Sequence, residues 1–257
     1  MIKSTQRLPL IDILCGFAVL GTLGTNIWIF AYLGDLSYIT TSAYTGWWSL
    51  NDFLRMLVLF FVNGKLLGLL TIMFGVGLEL KYQQAMRKGN AWLVVYIWTV
   101  LFLFVEGFIH FTLVMEYDIL MSYAVTAMIV AFIVKAGDKA INLTLYMVGG
   151  FHALIILLVL ISALLGANVT LPTNDAIVSI YQNGTWFEQI HNRLTNFWFF
   201  RTEAVFIIPM NIFLFLTGVK LMRNGVFSQD EKGRQGRKKL LSFDVPLRLK
   251  HLTNLSL

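Results

Sequence analysis

Residues 91 to 135 read AWLVVYIWTVLFLFVEGFIHFTLVMEYDILMSYAVTAMIVAFIVK. Two apolar runs, 91–114 and 118–135, flank the short VMEYD turn, and each approaches or exceeds the roughly 20 residues that cross a hydrocarbon core as a helix. Neither run alternates with period two, so neither is a barrel strand, and lipid leaves the backbone no other way to satisfy its polar groups. A connection this short makes the two spans antiparallel neighbours.

The same signature recurs along the chain. Hydropathy predicts spans at 12–33, 57–80, 91–114, 118–135, 141–166 and 198–221, an all-α, polytopic integral membrane bundle of about six transmembrane helices over residues 1–222. Residues 223–257 are predicted to form a basic tail, in which SFDVPLRLKHLTNLSL carries too many charges and a proline to span. Composition agrees: 57% of the 257 residues are hydrophobic, 13% are charged and the mean hydropathy is +0.71, against about 25% charged in soluble domains. The first run exceeds a signal-peptide h-region and opens with Asp12, so it reads as a retained span. A single cysteine, Cys15, rules out a disulfide framework. The chain carries no phosphate-binding loop, dinucleotide fingerprint or zinc spacing, so neither cofactor nor metal is predicted.

The net charge of +6 follows membrane topology better than nucleic-acid binding. With the amino terminus inside, all but Arg55, Lys65, Arg193 and Arg201 of the 20 Lys and Arg fall in cytoplasmic segments, which predicts both termini in the cytoplasm. The external segments are then 34–56, the VMEYD turn and 166–196, with Trp47, Trp48 and Trp186 suited to the interface. Within the last, Tyr181, Phe187, Ile190, Leu194 and Phe197 recur at helical spacing and predict a surface helix.

Ionisable groups inside such spans default to function. Glu106 and His110 stand at i and i+4 on one helix face, and Asp118 opens the returning span at nearly the depth of His110, with Glu116 in the turn between. Asn26, Asn63, Lys65, Arg201 and Glu203 fall at compatible heights, predicting a polar cavity on the external side. There His110 is the candidate general base, Glu106 or Asp118 its orienting carboxylate, and Lys65 or Arg201 the stabiliser of an anion. The competing reading is a set of ion pairs that fixes helix register without chemistry. Asp12 and Glu79 lie at the opposite end, while Gly64, Gly68 and the FGVG of 74–77 favour close helix packing.

Several stretches, in order, resemble the bacterial YeiB-like membrane proteins, which carry domain of unknown function 418. RLPLIDILCGFAVLGTLGTNI at 7–27 resembles the family's R-x-x-x-x-D-x-L-R-G-F-A-L-L-G-I-x-x-x-N-I, and NGKLLGLLTIMFGVGLEL at 63–80 its G-K-F-x-x-L-F-S-x-L-F-G-x-G. EGFIHFTLVMEYDILMSYAV at 106–125 resembles G-L-x-H followed by G-D-I-L-x-x-Y-A, and YQNGTWFEQIHNRLTNF at 181–197 resembles Y-x-x-G-S-x-x-E-x-x-x-x-R. The resemblance implies a bacterial inner-membrane protein related to transmembrane acyltransferases, with motif positions at Asp12, Gly16, Asn26, Lys65, His110, Asp118 and Tyr123. Cys15 and Tyr117 depart from the arginine and glycine of those patterns, and family members continue for several spans past 239, which predicts a chain truncated relative to them. The expected partners are membrane lipids and an acyl donor or a small solute, and whether the chain forms an oligomer stays open at this point. The rival functions are acyl transfer, solute transport and an inactive remnant.

Overall fold

A computed structural model describes residues 9–31, 50, 53–54, 65–166, 175–231 and 233–239. The described elements are helical: α1 (Pro9–Ala31), α2 (Lys65–Lys88), α3 (Trp92–Leu113), α4 (Leu120–Ala136), α5 (Asp138–Leu164), α6 (Asp175–Asn183), α7 (Trp186–Thr195), α8 (Phe197–Phe200) and α9 (Ala204–Arg223). Among the described residues four helical stretches are long and apolar enough to cross a membrane: α2, α3, α5 and the run Phe197–Arg223. The segments Pro9–Leu23 and Leu120–Ala136 are shorter and also apolar. Asn63, Gly64, Trp47, Trp48 and the start of the predicted 57–80 span lie outside the described residues, as does the side chain of Asn26.

Three boundaries differ from the hydropathy reading. Helix α2 runs to Lys88 rather than 80, because KYQQAMRK is rich in good helix formers and its basic last turn suits the negative end of the helix dipole. The span predicted at 198–221 is interrupted at residues 201–203, between α8 and α9. The single surface helix predicted over 181–197 is two, α6 and α7. They part at Gly184, where a Cβ would lie 2.5 Å from the Ile180 carbonyl oxygen, and α7 restarts with a capping box between Thr185 and Glu188.

Helices α2, α4 and α9 form the centre, with α1 on α2, α3 on α4, and α5 against α9 and α4. Helices α2 and α9 meet backbone to backbone. A Cβ on Gly75 would lie 2.1 Å from the Phe215 carbonyl oxygen, and one on Gly218 2.2 Å from that of Ile72. Of the glycines read as packing sites, Gly75 therefore serves, while Gly77 faces open space. Around this crossing Phe74, Tyr123 and Phe215 stack and tilt against one another, and Thr71 shares a 2.7 Å hydrogen bond with the Tyr123 hydroxyl. Ala124, Ala127 and Ala131 give α4 a buried face of small side chains. The apolar stretch of α5 has none of its residues buried, a surface suited to hydrocarbon rather than water.

The ends carrying basic residues gather at one end of the bundle. Arg223 holds buried Glu79 through two 3.0 Å bonds and Asp138 through one of 2.7 Å, and Lys220 donates to Asn142. The tail, read as a solvated basic stretch, keeps Arg234, Gln235, Lys238 and Lys239 exposed, while Arg237 donates to the carbonyls of Val226 and Ser228 at 2.7 and 2.8 Å.

Candidate functional site

At the other end, α3 stops and α4 begins within six residues. Asp118 organises the restart: from just before the N-cap residue Ile119, its Oδ2 accepts the Met121 N–H at 2.9 Å, one of the first-turn donors that lack an intrahelical partner. Its Oδ1 stands 3.4 Å from Nδ1 of His110, within charge attraction but not aligned as a hydrogen bond. The carboxylate is buried, whereas the imidazole keeps 36% of its side chain exposed. Gly107 lets the two helices come this close, since a Cβ there would lie 2.7 Å from the Met121 nitrogen and 2.9 Å from Asp118 Oδ2.

The corner between the helices hangs from the segment that follows α5. A helix leaves its last carbonyls without internal partners, and here side chains from α7 supply them. Trp186 donates to Leu113 O at 3.0 Å, and Arg193, fully buried, donates to Phe111 O and Thr112 O at 3.3 and 2.9 Å. Beyond the helix end Arg201 donates to the carbonyls of Glu116 and Asp118, both at 2.8 Å, with its guanidinium 4.4 Å from the centre of the Phe111 ring. Glu116 is buried and accepts from the Tyr181 hydroxyl.

The two carboxylates read as orienters of His110 thus separate: Asp118 faces the ring, while Glu106, one turn away, is exposed and has no polar partner among the described residues. Arg201, read as an anion stabiliser, directs its terminal nitrogens at main-chain carbonyls and at Glu203, 3.5 Å away. Lys65 is exposed at the start of α2. Asp12 and Gly16 are exposed on α1, and Tyr123 sits in the core crossing. The sequence places Tyr181 on the surface helix and Arg193 outside the cytoplasmic segments but assigns neither a role at the site. In the structure Tyr181 donates to Glu116, Gly184 separates α6 from α7, Glu188 closes the capping box and Arg193 donates to Thr112 O.

Burial pushes the Glu116 carboxyl up from its ordinary range, against the lowering pull of the Tyr181 hydroxyl and of Arg193 and Arg201. A carboxyl raised in this way contributes its full stability below about pH 4 and loses it as the pH rises through the folded value. Glu116→Gln, which keeps an acceptor for Tyr181, should therefore melt above the parent protein at pH 8 and together with it at pH 4. A lower melting point at pH 8 would contradict the burial argument.

A polar groove of about 480 Å³ lies between α6 and α7, lined by Ser179, Asn183, Glu188, His191, Asn192 and Thr195 among others. It opens on a different face of α7 from the one that meets α3.

Two proteins of bacilli resemble the chain. It is 25% identical to the uncharacterized protein YxaH of Bacillus subtilis over 92% of its own length and 63% of the relative's. It is 31% identical to an uncharacterized 39.9 kDa protein in the amylase 3' region of Bacillus acidopullulyticus, over 41% of its length and 28% of that relative's. The chain thus spans less than two thirds of either relative. No protein-family profile and no solved structure matches it significantly.

Proposed function

We propose that the chain is a multi-pass protein of a bacterial cytoplasmic membrane, of the YeiB-like kind, with about six spans, both termini inside, and an acyl-transfer site at its external end. The observation that carries the chemistry is the pairing of partly exposed His110 with buried Asp118 at 3.4 Å. A carboxylate facing Nδ1 favours the tautomer with its proton on that nitrogen, which leaves the Nε2 lone pair free to act as a base. His110 Nε2 takes the proton of a hydroxyl or amine acceptor as its oxygen or nitrogen attacks the acyl carbonyl. It returns that proton to the leaving group as the donor bond breaks. Arg193 and Arg201 hold the frame rather than the substrate.

The test is reconstitution in proteoliposomes with a radiolabelled acyl donor and hydroxyl- or amine-bearing acceptors. Formation of a covalent product that His110→Ala abolishes is the expected result; a product undiminished by that change refutes the role. A second reading, solute transport, draws on the α6–α7 groove, whose amide and hydroxyl lining suits a polar solute. Accumulation of unmodified solute without product would favour it.

The orientation has its own check in a Cys15→Ala background. Exposed Asn183→Cys should react with an impermeant maleimide on intact cells, and Gln235→Cys only after permeabilisation. The reverse pattern would invert the topology.

A further inference from the structure

A second groove, of about 220 Å³, lies at the opposite end of the bundle, where α2 turns into α3. Its polar lining is Lys81, Gln84, Lys88, Asn90 and Thr99, with Tyr96 as an aromatic wall. Lys81, Gln84 and Lys88 follow at i, i+3 and i+7, so one face of α2 presents two cations and an amide to the cleft. Lys81 Nζ is held over it by Thr99 Oγ1 at 3.4 Å and by the Tyr96 ring at 5.9 Å.

Two carboxylates of this end, Glu79 and Asp138, are engaged by Arg223. Among the described residues neither Lys81 nor Lys88 has a carboxylate partner. The groove is therefore a cationic, donor-rich cleft. Its wall is fixed in place, because Trp92 is buried, donates to Ala131 O and stacks on Tyr96.

What leaves the groove decides the class of ligand. Along α3, Val95, Thr99 and Phe102 follow at i, i+4 and i+7, leading from the cleft toward the middle of the helix, and Val95 and Phe102 are 56% and 73% exposed. A cationic cleft opening onto an exposed apolar track matches a molecule with an anionic head and a hydrocarbon tail, and a soluble anion makes no use of the track. The small volume fits a headgroup, with the chains outside.

We propose that this groove binds the phosphate of an anionic phospholipid, with Lys81 and Lys88 as its cations and the Val95–Phe102 face of α3 as the bed of an acyl chain. The site involves none of the residues of the His110 cluster and stands independently of the acyl-transfer reading.

The experiment uses the full chain equilibrated with mixed phosphatidylglycerol and phosphatidylcholine, followed by native mass spectrometry of the retained lipid. Phosphatidylglycerol should be retained over phosphatidylcholine, and K81Q/K88Q should lower its retention about tenfold. K81R/K88R, and K238Q/K239Q in the basic tail, should leave it unchanged. Equal retention of the two lipids, or undiminished retention in K81Q/K88Q, overturns the proposal, and so does a loss in K81R/K88R equal to that in K81Q/K88Q. In a parallel arm, inorganic phosphate is added to protein in phosphatidylcholine alone. A melting shift there that K81Q/K88Q removes, with no phosphatidylglycerol retained, assigns the cleft to a soluble anion and overturns the lipid.

Discussion

Gly75→Ala and Gly218→Ala should each destabilise the bundle by about 3 kcal/mol, the upper end of what overpacking normally costs. The added carbon would sit 2.1 Å from Phe215 O in one case and 2.2 Å from Ile72 O in the other. Both obstacles are backbone atoms, so no rotamer change relieves the clash and the two helix axes must separate by about 1 Å or more to restore normal contact. Within a bilayer no hydrophobic force drives α2 onto α9, so close packing is what the separation forfeits. Because either substitution already opens the same crossing, the double variant should fall short of the sum by about 1 kcal/mol or more. Gly77→Ala is the internal control: its Cβ meets nothing within 4 Å, and alanine is the better helix former, so it should be neutral or mildly stabilising. Unfolding curves in detergent for the four proteins decide the matter. If Gly75→Ala proves as harmless as Gly77→Ala, the close crossing is not what holds these helices.

On the acyl-transfer mechanism proposed for this site, His110→Ala and Asp118→Asn should both reduce turnover by about 10²–10⁴-fold, the usual worth of a positioned acid–base group, yet differ in stability. His110 is partly exposed and donates no aligned bond, so its removal should leave unfolding nearly unchanged. Asparagine at 118 still offers an oxygen to the Met121 N–H but brings no charge to the imidazole, so it should keep that bond and lose the chemistry. Asp118→Ala removes both, adding about 1 kcal/mol for the lost hydrogen bond. Gly107→Ala acts on the same pair from behind, by driving a methyl group against Asp118 Oδ2 and the Met121 backbone. Activity should therefore fall in all four variants, while stability falls in only the last two. Full turnover in Asp118→Asn would remove the carboxylate from the mechanism.

Much of this architecture was legible because apolar length is a direct statement about the solvent. The hairpin of 91–135, the helical class and the meeting of His110 with Asp118 follow from run length and a short turn. The extension of α2 to Lys88 was not legible, because a hydropathy window ends where polarity begins although the backbone goes on. The break at 201–203 was hidden by the apolar residues on either side of it. The arginines illustrate the harder limit. Charge marks Arg193 and Arg201 as notable, but their acceptors are main-chain carbonyls of another helix, and backbone oxygens carry no letter in a sequence.

The carbonyls of Phe111, Thr112, Leu113, Glu116 and Asp118 are all gripped by Trp186, Arg193 and Arg201. Those three anchors lie close together on one later stretch of chain, so it works as a lintel across the top of the hairpin. The imidazole and its carboxylate therefore inherit their spacing from a beam neither belongs to, and any tilt of that beam is transmitted to both at once.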